Sequence, residues 1–97
     1  MIRLFGSVPG SSNKAFTFDV AAMAVNSISI EEPANPSGLS LVSLKFGEGK
    51  NLVPFTVPLK VALAMASKSL TEIPSGTVTL ILKNSNRLEV RFEIVIE

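Results

Sequence analysis

The chain has 97 residues, 46% of them hydrophobic and 18% charged, with a net charge of +1 and no cysteine, histidine, tryptophan or tyrosine. That length suffices for one core and not two, so a single β-rich globular domain over residues 1–97 is expected. Without cysteine and histidine there are no disulfides, thiolate nucleophiles, zinc–thiolate sites or imidazole bases, and no cofactor or metal is expected.

From the N-terminus, the apolar run Met1 to Gly6 is too short for a signal peptide. Asp19, Lys60 and Lys68 interrupt every longer apolar run, so no transmembrane helix is expected. The expectation is a chain made in the cytoplasm without a membrane span. Ile2 to Phe5 and Ala15 to Val20 read as a hairpin, with Phe16, Phe18 and Val20 on one face and Pro9 to Asn13 as its loop. The run from Val20 to Ser27 reads equally as strand or as a short helix capped by Asp19. Ser27 to Ile30 is a further short strand, ended by Glu31-Glu32-Pro33-Ala34-Asn35-Pro36.

An internal repeat follows. Pro36-Ser37-Gly38 with an apolar run to Lys45 matches Pro74-Ser75-Gly76 with an apolar run to Lys83, both at an offset of 38 residues (36 to 74, 45 to 83). Upstream, Ala22-Met23-Ala24 with Ser27-Ile28 answers Ala64-Met65-Ala66 with Ser69-Leu70 more loosely. Leu39 to Phe46 and Leu52 to Val57 read as a second hairpin across Gly47-Glu48-Gly49-Lys50-Asn51. Leu41, Val42 and Leu44 cannot share one face and Pro54 cannot donate to a ladder, so a bulge or an edge is expected here.

Over Val57 to Leu70 the residues Leu59, Leu63, Ala66 and Leu70 make a helical stripe. Alanine density and Pro58 near the start favour helix over strand. The C-terminus alternates Leu88, Val90, Phe92, Ile94 and Ile96 with Arg87, Glu89, Arg91, Glu93 and Glu97, a half-buried strand. With the β-branched run Thr77 to Lys83 and the link Asn84-Ser85-Asn86 it predicts a third hairpin, in which Leu82 faces Leu88 and Val78 faces Phe92.

That last segment, Gly76 to Ile96 after Pro74-Ser75, resembles the closing hairpin of immunoglobulin-like β-sandwiches, although the Cys-Trp-Cys core of true immunoglobulin domains is missing. The resemblance covers about the final quarter of the chain and implies architecture alone. The expected fold is mainly β, an antiparallel β-sandwich or barrel with up to two short helices. The alternative is α+β with helices near 20–27 and 58–70.

Candidate chemistry is sparse. Gly47-Glu48-Gly49-Lys50 lacks the spacing and the Ser or Thr of a phosphate loop and reads as a hairpin turn. Glu31 and Glu32 are neighbours in an extended segment and point apart, so with Asn35 they read as solvated loop charge. Ser11, Ser12 and Ser37 have no base, with only Lys14 or Lys50 to serve. Phe16, Phe18, Phe46 and Phe55 beside Lys14, Lys45 and Lys50 could form a single-strand nucleic-acid platform, but strand phenylalanines at period two are ordinarily interior. No group of four or more basic residues clusters to form a phosphate-binding patch.

The alternating charges Arg87, Glu89, Arg91 and Glu93 are the candidate interface: an antiparallel two-fold copy centred on Val90 would set Arg87 opposite Glu93 and Glu89 opposite Arg91. These readings predict a non-enzymatic structural or interaction module that self-assembles, a homo-oligomer or a partner of other protein subunits. A small virion coat or decoration subunit is the concrete form, and a single-stranded nucleic-acid-binding or regulatory module is the alternative.

Overall fold

The computed structural model describes residues 1–30, 38–53 and 55–97. Among the described residues it is mainly β and antiparallel with one short helix, and its sheets are not closed into a barrel. Chain order is β1 (Ile2–Val8), β2 (Ser12–Val20), β3 (Met23–Ala24), β4 (Ile28–Ile30), β5 (Leu39–Phe46), β6 (Val57–Pro58), α1 (Leu59–Ser69), β7 (Glu72–Ile73), β8 (Gly76–Asn84) and β9 (Val90–Ile96). One sheet runs β1-β9-β4, a second runs β2-β8-β5-β6, and β3 and β7 form a two-stranded ribbon.

Period two explains the layers. Leu4, Val8, Phe92, Ile94 and Ile96 from the first sheet meet Leu39, Leu41, Leu44, Val78, Leu80 and Leu82 from the second in one buried cluster. The two inner faces thus share one core, as in a sandwich. Each such aliphatic side chain contributes roughly 1.5–3 kcal/mol by leaving water.

β1, β2, β5, β8 and β9 occupy segments that alternation marks, but of the strand expected over Leu52 to Val57 only Val57 is paired among the described residues, and two of the three expected hairpins do not form. β8 is flanked by β2 on one side and β5 on the other, so no ladder position is left for β9, which pairs instead with β1 and β4. β1 and β2 likewise lie in different sheets. Both connections therefore cross from sheet to sheet. Leu88, expected opposite Leu82, lies outside the strand and is 78% exposed. The hairpin on which the immunoglobulin resemblance rested is absent.

The two crossings interlock through Asn84. This side chain is 1% exposed. Its Nδ2 donates to the carbonyls of Val8 (3.0 Å), Pro9 (3.2 Å) and Leu88 (2.9 Å), and its Oδ1 accepts from the Asn86 amide at 2.8 Å. The Ser11 amide donates to the Asn86 carbonyl at 2.8 Å. Gly10 permits the approach, since a Cβ there would lie 1.9 Å from the Arg87 carbonyl oxygen. One buried amide thus satisfies backbone groups that irregular chain leaves without ladder partners.

The second hairpin is present in part. β6 pairs with β5 at Ser40↔Pro58 and Leu41↔Val57, and forms the sheet edge. The expected bulge sits at Val42, where the β5–β8 register slips between Leu41 and Ser43. The extra residue lets Leu41 and Leu44 both face the core. Pro54 lies outside the described residues.

The helix expected over 58–70 is α1. Leu59, Ala62, Leu63 and Ala66 form its buried stripe, and it packs on β4, β5 and β6. Pro58 precedes the first turn, where a missing donor costs nothing, and Leu70 ends the helix in extended conformation with its amide bonded to the Ala66 carbonyl. No helix forms over 20–27. Met23 and Ala24 pair instead with Ile73 and Glu72, and the Val25 amide donates to the Thr71 carbonyl. The tighter repeat has a structural counterpart, because Gly38 and Gly76 both take positive φ and the strands they open, β5 and β8, are antiparallel neighbours. The looser one has none: its first copy lies at β3 and its second in α1.

Candidate interaction surface

The sandwich has one covered side and one open side. α1 packs beside β4, β5 and β6, whereas β1 and β2 border the opposite side and touch each other. β2 is the longer of these two edges. Its nine residues pair with β8 in unbroken register from Ser12↔Asn84 to Val20↔Gly76, and among the described residues it has no second strand neighbour. It holds no proline and two charges, Lys14 and Asp19.

Its core-side row is aromatic. The Phe16 ring meets Phe92 edge-on at 4.9 Å and stacks on Phe18 at 6.4 Å, 8° from parallel. Gly6 leaves room for it, because a Cβ there would lie 2.7 Å from the ring. Lys14 Nζ stands 5.2 Å from the Phe16 centroid, within cation–π range. Asn13, Lys14, Ala15, Thr17 and Asp19 are exposed, while Phe16 and Phe18 are half-buried.

Apolar side chains also project from regular elements elsewhere. Phe5, in the middle of β1, is 66% exposed, and Val61 and Met65 lie one turn apart on the outer face of α1 at 49% and 39%. Phe55 is exposed as well, whereas Phe16, Phe18 and Phe46 pack against the core, so the four phenylalanines of the supposed nucleic-acid platform do not form one exposed row.

The candidate interface residues fall differently from expectation. Arg87 and Glu89 precede β9, and Arg91 and Glu93 lie within it. β9 is the central strand of its sheet, paired with β1 along its whole length and with β4 at Ile94–Ile96. A two-fold ladder centred on Val90 therefore has no full edge to occupy. Arg87, Glu89 and Arg91 are exposed, and Glu93 accepts a 2.6 Å charge-assisted bond from Arg3 on β1. With both groups partly in water, that pair contributes at most about 1 kcal/mol.

The glycine turn is closed on itself. The Gly47 amide donates to Thr77 and the Gly49 amide to Phe46, while Asn51 Oδ1 accepts from the Leu44 and Val53 amides at 3.0 Å. The left-handed residue is Gly47, φ 59°, and Gly49 does not take positive φ. Gly47→Ala is thus expected to cost about 1–2 kcal/mol and Lys50→Ala under about 0.5 kcal/mol. Paired urea melts check this, and a larger loss at Lys50 would contradict it.

Ser12 Oγ donates to the Pro9 carbonyl at 2.8 Å and Ser11 Oγ to the Asn86 carbonyl at 3.5 Å, so both serine hydroxyls serve the crossing. Glu31, Glu32, Asn35 and Ser37 lie outside the described residues. Among the described residues no three His, Cys, Asp or Glu side chains gather as metal ligands, and no helix is long and apolar enough to cross a membrane.

Sequence reading missed the β2 edge because it assigned that strand to a hairpin with β1. The available signal was a nine-residue run without proline and with little charge, which a defended edge would carry. Neither a family model nor a curated protein nor a solved structure matches the chain.

Proposed function

We propose that this domain is a non-enzymatic structural module that works by self-association, of the kind a small virion coat or decoration subunit performs. The carrying observation is the exposure of apolar side chains on regular elements at opposite sides of the sandwich, Phe5 on β1 and Val61 with Met65 on α1. Lone exposed hydrophobics are ordinary, but an outward pair one turn apart on a helix whose inner stripe is already buried supports a covering partner. Contact surfaces on opposite sides suit an assembly of several copies better than an isolated pair.

Sedimentation and native mass spectrometry over a concentration series test this. Oligomers are expected, reduced in mass by Phe5→Ser or Met65→Ser. A monomer at every concentration would overturn the reading. A nucleic-acid-binding module remains the second reading through the Lys14–Phe16–Phe18 row, and addition of a single-stranded oligonucleotide in the same experiment separates the two.

A further inference from the structure

We propose that β2 is the pairing edge between copies: two chains join antiparallel through Ser12–Val20 about a two-fold axis at Phe16, merging two four-stranded sheets into one of eight strands. This rests on the self-association reading and adds to its apolar surfaces, Phe5 on β1 and Val61 with Met65 on α1, a backbone contact at a different edge.

The backbone specifies the occupant's form. An edge strand presents a row of outward N–H and C=O groups, and the partner that satisfies them in series is another extended strand. The other edges serve less well. β6 has two residues, one of them Pro58, and β4 has three, with α1 packed against it. β1 offers seven, but pairing with itself about Phe5 would set Leu4 beside Gly6, a side chain against none.

Self-complementarity specifies a second copy. A two-fold axis normal to the sheet keeps faces together, so opposed residues must share parity. Centring on Phe16 pairs all nine residues of β2. On the core-side face it sets Phe16 against Phe16 and Lys14 against Phe18 of the second copy, extending the cation–π contact that Lys14 already makes with Phe16. On the outer face it sets Ala15 against Thr17 and Asp19 against Asn13, a carboxylate against an amide donor. No like charges are opposed. Moving the axis to Ala15 places Asp19 against Ser11, which lies outside the strand at φ 54°. Moving it to Thr17 places Asp19 against Ala15 and Lys14 against Val20. Only the Phe16 axis gives both charged residues a suitable partner.

The experiment is sedimentation equilibrium of the full chain at low salt, with wild type and two double variants at exposed outer-face positions. Ala15→Lys with Thr17→Lys opposes lysines twice across the axis and should weaken dimerisation about tenfold. Ala15→Lys with Thr17→Glu opposes unlike charges twice and should restore association to the wild-type level or beyond, with the difference shrinking in high salt. Amide hydrogen exchange of wild type gives a readout free of substitution: the outward amides of Ser12–Val20 should gain protection as concentration rises.

If wild type stays monomeric at all concentrations, both this proposal and the self-association reading fall. If wild type associates while β2 exchange and both variants are unchanged, association stands and the edge assignment falls. Protection of β2 that appears only when a different protein's extended peptide is added overturns the second copy as occupant.

Discussion

Asn84→Ala is expected to cost about 3–5 kcal/mol, because one truncation of a side chain that is 1% exposed strips partners from three carbonyls and one amide, and each lost partner costs about 1–3 kcal/mol where water does not replace it. Total stability for a domain of this size is about 5–15 kcal/mol, so the variant should be near unfolding. Asn84→Asp keeps the shape but replaces both donors with a carboxylate facing three carbonyl oxygens, and should be worse at neutral pH. The sign of its pH dependence follows. Protonation restores a donor in the folded state, so the folded variant binds its proton more tightly than the unfolded one. The deficit against wild type should therefore shrink as pH falls. Urea melts of the three proteins from acid to neutral pH measure this. A loss below about 1 kcal/mol for Asn84→Ala would show that the crossings hold without the amide.

Phe92→Ala should cost about 3–5 kcal/mol by the transfer and cavity terms together. The ring is 2% exposed, lies edge-on to Phe16, and comes close to where a Gly6 Cβ would sit, so it joins β9, β1 and β2 at the open side of the sandwich. Phe16→Ala removes a half-buried ring and should cost less. Denaturant midpoints for the two variants decide the order, and a milder effect at Phe92 than at Phe16 would contradict the assignment of Phe92 to the deepest part of this cluster.

The sequence disclosed which residues face inward more readily than which strands are neighbours. Alternation in Val90 to Ile96 places Phe92, Ile94 and Ile96 in the core, and the stripe Leu59, Leu63 and Ala66 marks the buried side of α1. Period two, however, is the same whether a strand pairs with the segment before it or crosses to another sheet. The link Asn84-Ser85-Asn86 fits a tight turn by residue type, yet Asn84 turns its amide inward to hold two crossings, a role set by Val8 and Pro9 some 75 residues away. The Val42 bulge was legible because three apolar residues in conflict with alternation demand an extra residue somewhere. The candidate surface was the least legible. Alternating charge on Arg87 to Glu93 suggested an exposed edge, but whether a strand is an edge depends on what lies on both sides of it. For β9 the answer came from β1 and β4.

The strand that closes the three-stranded sheet has a consequence for how the domain comes into being. Ile2 pairs with Ile96, so residues at the two ends of this sequence meet in one ladder, and β9, the last strand in order, is the central member between β1 and β4. On a ribosome, β1 and β4 would emerge before β9, the strand that comes to lie between them, and could pair with it only after the segments from β5 to β8 had followed. Closing so long a loop costs entropy before any pairing repays it, which places the domain among slow folders dominated by distant contacts. During that interval the apolar faces of β1 and β4 stand uncovered, and crowding of nascent chains becomes a hazard that the finished sandwich does not share.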